Sequence, residues 1–75
     1  MNQSFYHFTL SFRGGDVSDS KVRFAEKMFK DHSFPKTSRS FEELSSYIET
    51  LADDDMSTNT FDEIWELYRM KHGID

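Results

Sequence analysis

Apolar residues recur along this chain at intervals of three and four, the spacing of one face of a helix. Nowhere do they alternate with the period of two that a strand requires. Ser4 reads as an N-cap, followed by Phe5, Phe8 and Phe12 on one face with Tyr6 and Leu10 widening it. This predicts a short first helix ending near Arg13, stopped by Gly14-Gly15. A second helix follows from a cap at Ser18 to Lys30 or Asp31, with Val22, Ala25, Met28 and Phe29 as its buried stripe and Phe24 at the edge. The third opens on Ser40-Phe41-Glu42-Glu43, a capping box in which the Ser40 hydroxyl accepts from the third helical N–H and Glu43 reaches back. Phe41, Leu44, Tyr47, Ile48 and Leu51 form its face, and Asp53-Asp54-Asp55 ends it because carboxylates oppose the dipole at a helix C-terminus. The fourth begins between Ser57 and Thr60. Thr60-Phe61-Asp62-Glu63 reads as a second capping box, and Phe61, Ile64, Trp65 and Tyr68 form the stripe, with Leu67 beside it. Lys71 and His72 suit its last turn and Gly73 its stop.

The middle of the chain is punctuated by Asp31-His32-Ser33-Phe34-Pro35-Lys36-Thr37-Ser38. Pro35 lacks an N–H and biases Phe34 towards extended backbone, so no helix runs through it. Phe34 is a large apolar residue in an otherwise polar loop, and a small domain rarely leaves one in water; it is expected to plug the core. The pattern as a whole predicts an all-α chain, a four-helix bundle with short connections forming one domain over residues 1–75. Its expected core is Phe5, Phe8, Phe12, Val22, Ala25, Phe29, Leu44, Tyr47, Ile48, Phe61, Ile64, Trp65 and Tyr68.

Size makes the aromatic content matter. A chain of 75 residues lies near the lower limit for a self-sufficient core, and eight Phe, three Tyr and one Trp supply large apolar area per residue. There is no Cys, so no disulfide or thiolate site stiffens the fold, which fits a reducing cytoplasm, the expected location. Met1-Asn2-Gln3-Ser4 shows no basic and apolar leader pattern, and no apolar run approaches the ~20 residues of a membrane span.

Candidate chemistry thins out on inspection. Gly14-Gly15 lacks the further glycines and the Lys-Ser/Thr of a phosphate loop. Asp53, Asp55, Ser57 and Asn59 alternate as in a calcium loop, but Thr58 stands where a Gly is needed and Ile64 where a bidentate Glu is needed. His7, His32 and His72 are too scattered for a zinc site and read as hydrogen-bonding residues. Asp31, His32 and Ser33 contain the residue types of a hydrolytic triad, yet adjacent residues do not reach relay geometry and no nucleophile elbow accompanies them. No enzyme, metal or cofactor is therefore expected. Most aromatics fall at core spacing rather than as a stacking platform, with the exposure of Tyr6, Phe34 and Tyr47 left open.

Taken together, Ser4-Phe5-Tyr6-His7-Phe8, Arg13, Phe24-Ala25, Asp31-His32-Ser33-Phe34-Pro35-Lys36, Ser45-Ser46-Tyr47 and Phe61-Asp62-Glu63-Ile64-Trp65-Glu66-Leu67-Tyr68 resemble the YozE family of short proteins from Gram-positive bacteria. The likeness covers nearly the whole chain and departs most between Thr50 and Met56. It implies a compact helical fold likened to sterile alpha motif (SAM) domains, and it brings no established activity, substrate or catalytic residue with it.

Charge gives the remaining functional signal. The net charge is −5, but residues 1–40 hold seven Lys or Arg against four Asp or Glu, whereas residues 41–75 hold two against ten. Solvated helix faces are the bland account of that asymmetry. The functional account is a binding module for protein, joining an unidentified partner or a second copy through complementary faces. Lys27, Lys30, His32, Lys36 and Arg39 are the candidate basic residues, and Glu42, Glu49, Asp53, Asp54 and Asp55 the acidic ones. The alternative is nucleic-acid binding through the basic 21–39 region, against which the overall acidity weighs. The two readings separate on whether those cations form one surface clear of carboxylates.

Overall fold

In the computed structural model, which describes residues 3–72, the chain folds into α1 (Phe5–Leu10), α2 (Ser20–Lys30), α3 (Phe41–Leu51) and α4 (Thr58–His72). The described residues contain no strand. The Gly73 stop expected for α4 and the first two residues of the N-terminal segment lie outside them. α4 is the axis of the bundle: among the described residues it packs against each of the other three helices, α1 also packs on α2, and α3 packs mainly on α4. The radius of gyration, 11.3 Å, is what a packed chain of this length should have, about 11 Å.

The core is largely aromatic. Phe5 is fully buried, with its ring centroid 5.1 Å from Phe61, 5.8 Å from Tyr68, 5.9 Å from Trp65 and 6.4 Å from Phe24. Tilted and edge-on pairs of this kind add about 0.5–1.5 kcal/mol each beyond the area they bury. Leu44, Ile48 and Ile64 fill the space towards α3. Phe34 is buried as its place in the loop predicts, with Tyr6 at 5.7 Å and Tyr47 at 5.4 Å. Tyr6, also buried, joins it in the core.

Three positions expected in the core sit differently. Phe29 is 43% exposed, while Phe24, placed at the edge by the sequence pattern, is fully buried. The reason is that α2 lies between α1 and α4, which turns the side bearing Phe24 and Met28 inward and leaves Phe29 at the rim. There the Arg13 guanidinium covers its ring at 3.6 Å. Phe12 and Tyr47 are half-buried against the core. Phe41 and Leu51, the two ends of the expected α3 face, are 42% and 37% exposed. Met56, in the acidic loop, is buried without having been expected there.

The helix ends obey capping chemistry, with shifts of position. Ser4 Oγ accepts from the His7 N–H as expected. α1 stops at Leu10, short of Arg13, because residues 11–13 close tighter turns: Ser11, Phe12 and Arg13 donate three residues back to Phe8, Thr9 and Leu10. Gly14 then takes φ +84°, the left-handed turn a glycine permits. The cap of α2 is Asp19 rather than Ser18. Its carboxylate accepts from Lys21 N–H, while Ser18 N–H is held by Asp16 in a turn of its own. Ser40 caps α3 through Glu43 N–H. Glu43 does not close the box directly: its carboxylate accepts from Ser38 Oγ, which in turn accepts from Ser40 N–H. The second capping box does not form, because α4 starts earlier. Ser57 Oγ accepts from Thr60 N–H, and Thr60 lies buried within the first turn. α3 ends at Ala52, whose left-handed backbone (φ 51°, ψ 42°) turns the chain into the three aspartates.

Candidate functional site

The α2–α3 connection is fastened from both sides. Asp31, at the C-cap of α2, accepts from Ser33 N–H on Oδ1 at 3.1 Å and from the Tyr47 hydroxyl of α3 on Oδ2. Burial, together with this bond to a carboxylate, pushes the Tyr47 phenol up to about 12. Phe34 anchors the same loop beneath Tyr6 and Tyr47. Asp31 is thus committed to structure, and the Asp31-His32-Ser33 run has no free carboxylate to orient a histidine. His7 hydrogen-bonds Ser4 and His72 faces Gln3, each at 3.2 Å, while His32 is exposed.

The five basic candidates are not gathered into one site. Lys27 and Lys30 line a shared depression at the C-terminal end of α2, whose other walls are Asp31, Leu51, Asp53 and Met56. Lys36 stands on the far side of Phe34, its Nζ 5.8 Å from the Tyr6 ring centroid. Arg39 lies nearer α4, where its charge partly offsets the effect of burial, which raises the Tyr68 phenol. His32 lies between these places on the exposed loop.

The tertiary structure also brings the two charge regimes against one another. Lys27 Nζ lies 3.3 Å from Asp53, Arg23 Nε 3.6 Å from Asp55, and Lys21 Nζ 3.8 Å from both Asp19 and Glu63. Arg13 pairs with Glu26 at 3.1 Å, and Gly14 N–H donates to the other oxygen of that carboxylate. These contacts from Arg13 and Gly14 hold Glu26 below its ordinary value. Asp53 is likewise lowered, first by the Asp55 N–H on its Oδ1 and then by Lys27. The acidic loop folds onto the basic helix, so Asp53 and Asp55 pair with Lys27 and Arg23 of the same chain, while Glu42, Glu49 and Asp54 of the expected acidic residues stay exposed.

What remains without an ion pair is concentrated in one stretch of sequence rather than at one place on the surface. Among the described residues, Lys30, Lys36, Arg39 and Lys71 have no carboxylate within ion-pair distance, and three of these four lie between positions 30 and 39. Glu42, Glu49, Asp54 and Asp62 are likewise exposed and without an ion pair. Sequence reasoning missed Leu51 and Met56 as walls of the depression. For Met56 the available signal was the one that identified Phe34, an isolated apolar residue in a polar loop. A second depression, of about 410 Å³, runs from Asp53 and Met56 past Glu49 and Asp54 to Ser57 and Thr58 at the start of α4. No helix among the described residues is long and apolar enough to cross a membrane.

Comparison with known proteins agrees with this architecture. The UPF0346 protein YozE of Bacillus subtilis is 46% identical over 72 residues, covering 95% of this chain and 97% of its own. A UPF0346 protein of Geobacillus kaustophilus is 48% identical over 68 residues, 91% of this chain and 94% of its own. One from Listeria innocua is 41% identical over 68 residues, 91% and 88% of the two chains. The family model described as the YozE SAM-like fold matches residues 4–70, and with that span and these relatives the chain belongs to the YozE SAM-like (UPF0346) family.

Proposed function

We propose that this domain is a protein-binding module and not an enzyme, its recognition element being the cationic segment from Lys30 to Arg39. The observation that carries this reading is the distribution of charge left after folding. Lys21, Arg23 and Lys27 form ion pairs within the chain, whereas Lys30, Lys36 and Arg39 have no carboxylate within ion-pair distance among the described residues, Glu26 acting on Lys30 only at longer range. Unmatched surface charge contributes little to the stability of the domain itself. It steers association and selects a partner of opposite sign. The segment is also well suited to present side chains, since Phe34, the Asp31–Tyr47 hydrogen bond and the Ser38–Glu43 relay hold its backbone in place. Less ordering entropy is then lost on binding.

No observation favours the nucleic-acid alternative. A helix that reads a groove needs its cations free for phosphate, and three of the four on α2 face carboxylates. Self-association through an acidic 53–55 patch loses two of its three carboxylates in the same way. The test is capture from a bacterial lysate at low and high salt, with Lys30→Glu/Lys36→Glu as the control, alongside light scattering over a range of concentration. Partners retained by the wild-type chain, released by salt and lost in the double variant are expected. Retention that is equal in the variant, or abolished by nuclease, overturns the reading.

A further inference from the structure

At the start of that cationic segment, the depression between the end of α2 and the α3–α4 loop adds an apolar wall to the Lys30 ammonium. Its volume is about 260 Å³ and its lining is Lys27, Lys30, Asp31, Leu51, Asp53 and Met56. That lies below the roughly 300–1,000 Å³ of small-molecule and cofactor sites, and suits one inserted side chain. Formally the rim is neutral, two lysines against two aspartates. The hydrogen bonds break this balance. Asp31 is occupied by Ser33 N–H and the Tyr47 hydroxyl, and Asp53 by Asp55 N–H and Lys27. Lys30 has no carboxylate within ion-pair distance among the described residues. The depression therefore offers one ammonium that has no ion pair and is attracted only at longer range by Glu26, one turn back on α2, beside an apolar wall in which Leu51 is still 37% exposed.

Resting on the reading of the domain as a protein-binding module, we propose that this depression docks an acidic segment of a partner protein. The partner sets an aliphatic side chain between Leu51 and Met56 and an adjacent carboxylate on the Lys30 ammonium. The requirement for both parts follows from the desolvation each would otherwise incur. A neutral apolar segment would cover Lys30 and leave its charge unpaired, which is unfavourable. A basic segment would meet Lys27 and Lys30 at close range. A carboxylate without an aliphatic neighbour would leave Leu51 in water and forgo its burial. Only the combination satisfies every group on the rim without opening the Lys27–Asp53 pair.

The experiment is an amide-resolved NMR titration of the full chain with blocked five-residue peptides. The probe is Glu-Asp-Leu-Asp-Glu; the controls replace its acids with Lys or its Leu with Gly. The expected result is saturable shift changes centred on residues 27–31 and 51–56 with the probe alone. Affinity should fall about tenfold in Lys30→Glu and in Leu51→Glu, both at exposed positions where folding is retained, and should hold within twofold in Lys36→Glu. No saturable change at 10 mM probe, or equal response to the Gly control, overturns the proposal. So do concentration-dependent shifts of the same amides without peptide, which would make a second copy the occupant. Changes spread along residues 30–39 and lost equally in Lys36→Glu overturn the pocket while leaving the broader module reading intact.

Discussion

Phe5 and Phe29 allow the packing argument to be tested with one chemistry at two sites. Both lie on helices and both read as core from their spacing, but Phe5 is fully buried among four aromatic rings while Phe29 is 43% exposed beneath Arg13. Phe5→Ala removes the whole ring from the interior and leaves a cavity that the surrounding rings fill only by rearranging, at a cost of about 3–5 kcal/mol. Phe29→Ala loses part of its apolar contact and one cation–π contact worth about 0.5–1 kcal/mol, and recovers a few tenths from the better helix propensity of Ala. The expected cost is about 1 kcal/mol. A domain of this size has a total stability of about 4–11 kcal/mol, and 1 kcal/mol displaces its Tm by about 4–8 °C. Phe29→Ala should therefore melt cooperatively within about 10 °C of wild type, whereas Phe5→Ala should be largely unfolded or melt at least about 12 °C lower. Far-UV circular dichroism follows the helices, and Trp65 fluorescence gives an independent probe of the same core. Equal losses in the two variants, or a Phe5→Ala loss below about 1.5 kcal/mol, would refute the assignment of Phe5 as the centre of the bundle.

Three further outcomes follow from particular contacts. The Tyr47 phenol is raised from 10.0 to about 12 in the folded chain, so its contribution is complete below pH 10 and is lost as pH rises towards 12. Alkaline denaturation should be shallower over that interval in Tyr47→Phe, and an unchanged profile would show that the Asp31 contact does not shape it. Asp53 works in the opposite sense. Its carboxyl is held below the ordinary 3.8, so stability from it is present above that value and fades as pH falls through the lowered one. Stability measured by urea at pH 5 and pH 3 should drop less in Asp53→Asn than in wild type. Ala52 occupies the left-handed region, which costs a non-glycine residue roughly 1–2 kcal/mol; after the entropy that glycine adds to the unfolded chain, Ala52→Gly should gain about 0.5 kcal/mol and raise Tm by a few degrees. A lower Tm would place the strain elsewhere.

Helix positions and two of the four N-caps were legible in the sequence because they are local. Ser4 and Ser40 cap the helices they precede through hydroxyl to N–H bonds spanning three residues, and Pro35 breaks the chain for reasons contained in its own ring. Burial of Phe34 was legible from composition, since a polar loop has no other use for such a residue. The chain's membership of its family rested on the same local strings, among them the one around Phe34-Pro35.

Other features depended on how the helices lie together. Ser18 and Asp19 are both good caps one residue apart, as are Ser57 and Thr60 at one turn's distance. Which of them is used depends on where each helix must start in order to reach its neighbours. Phe24 and Phe29 are both apolar, and only the placement of α2 between α1 and α4 decides which is covered. Most consequential are the charges. Read in order, the chain has a basic half and an acidic half, and nothing local indicates that Arg23 meets Asp55 or that Lys27 meets Asp53. Those pairs join residues far apart in sequence, and the Coulomb interaction responds to distance in space. The periodic pattern therefore determined the elements and local residue strings the family, and the tertiary structure decided which charges remain to face a partner.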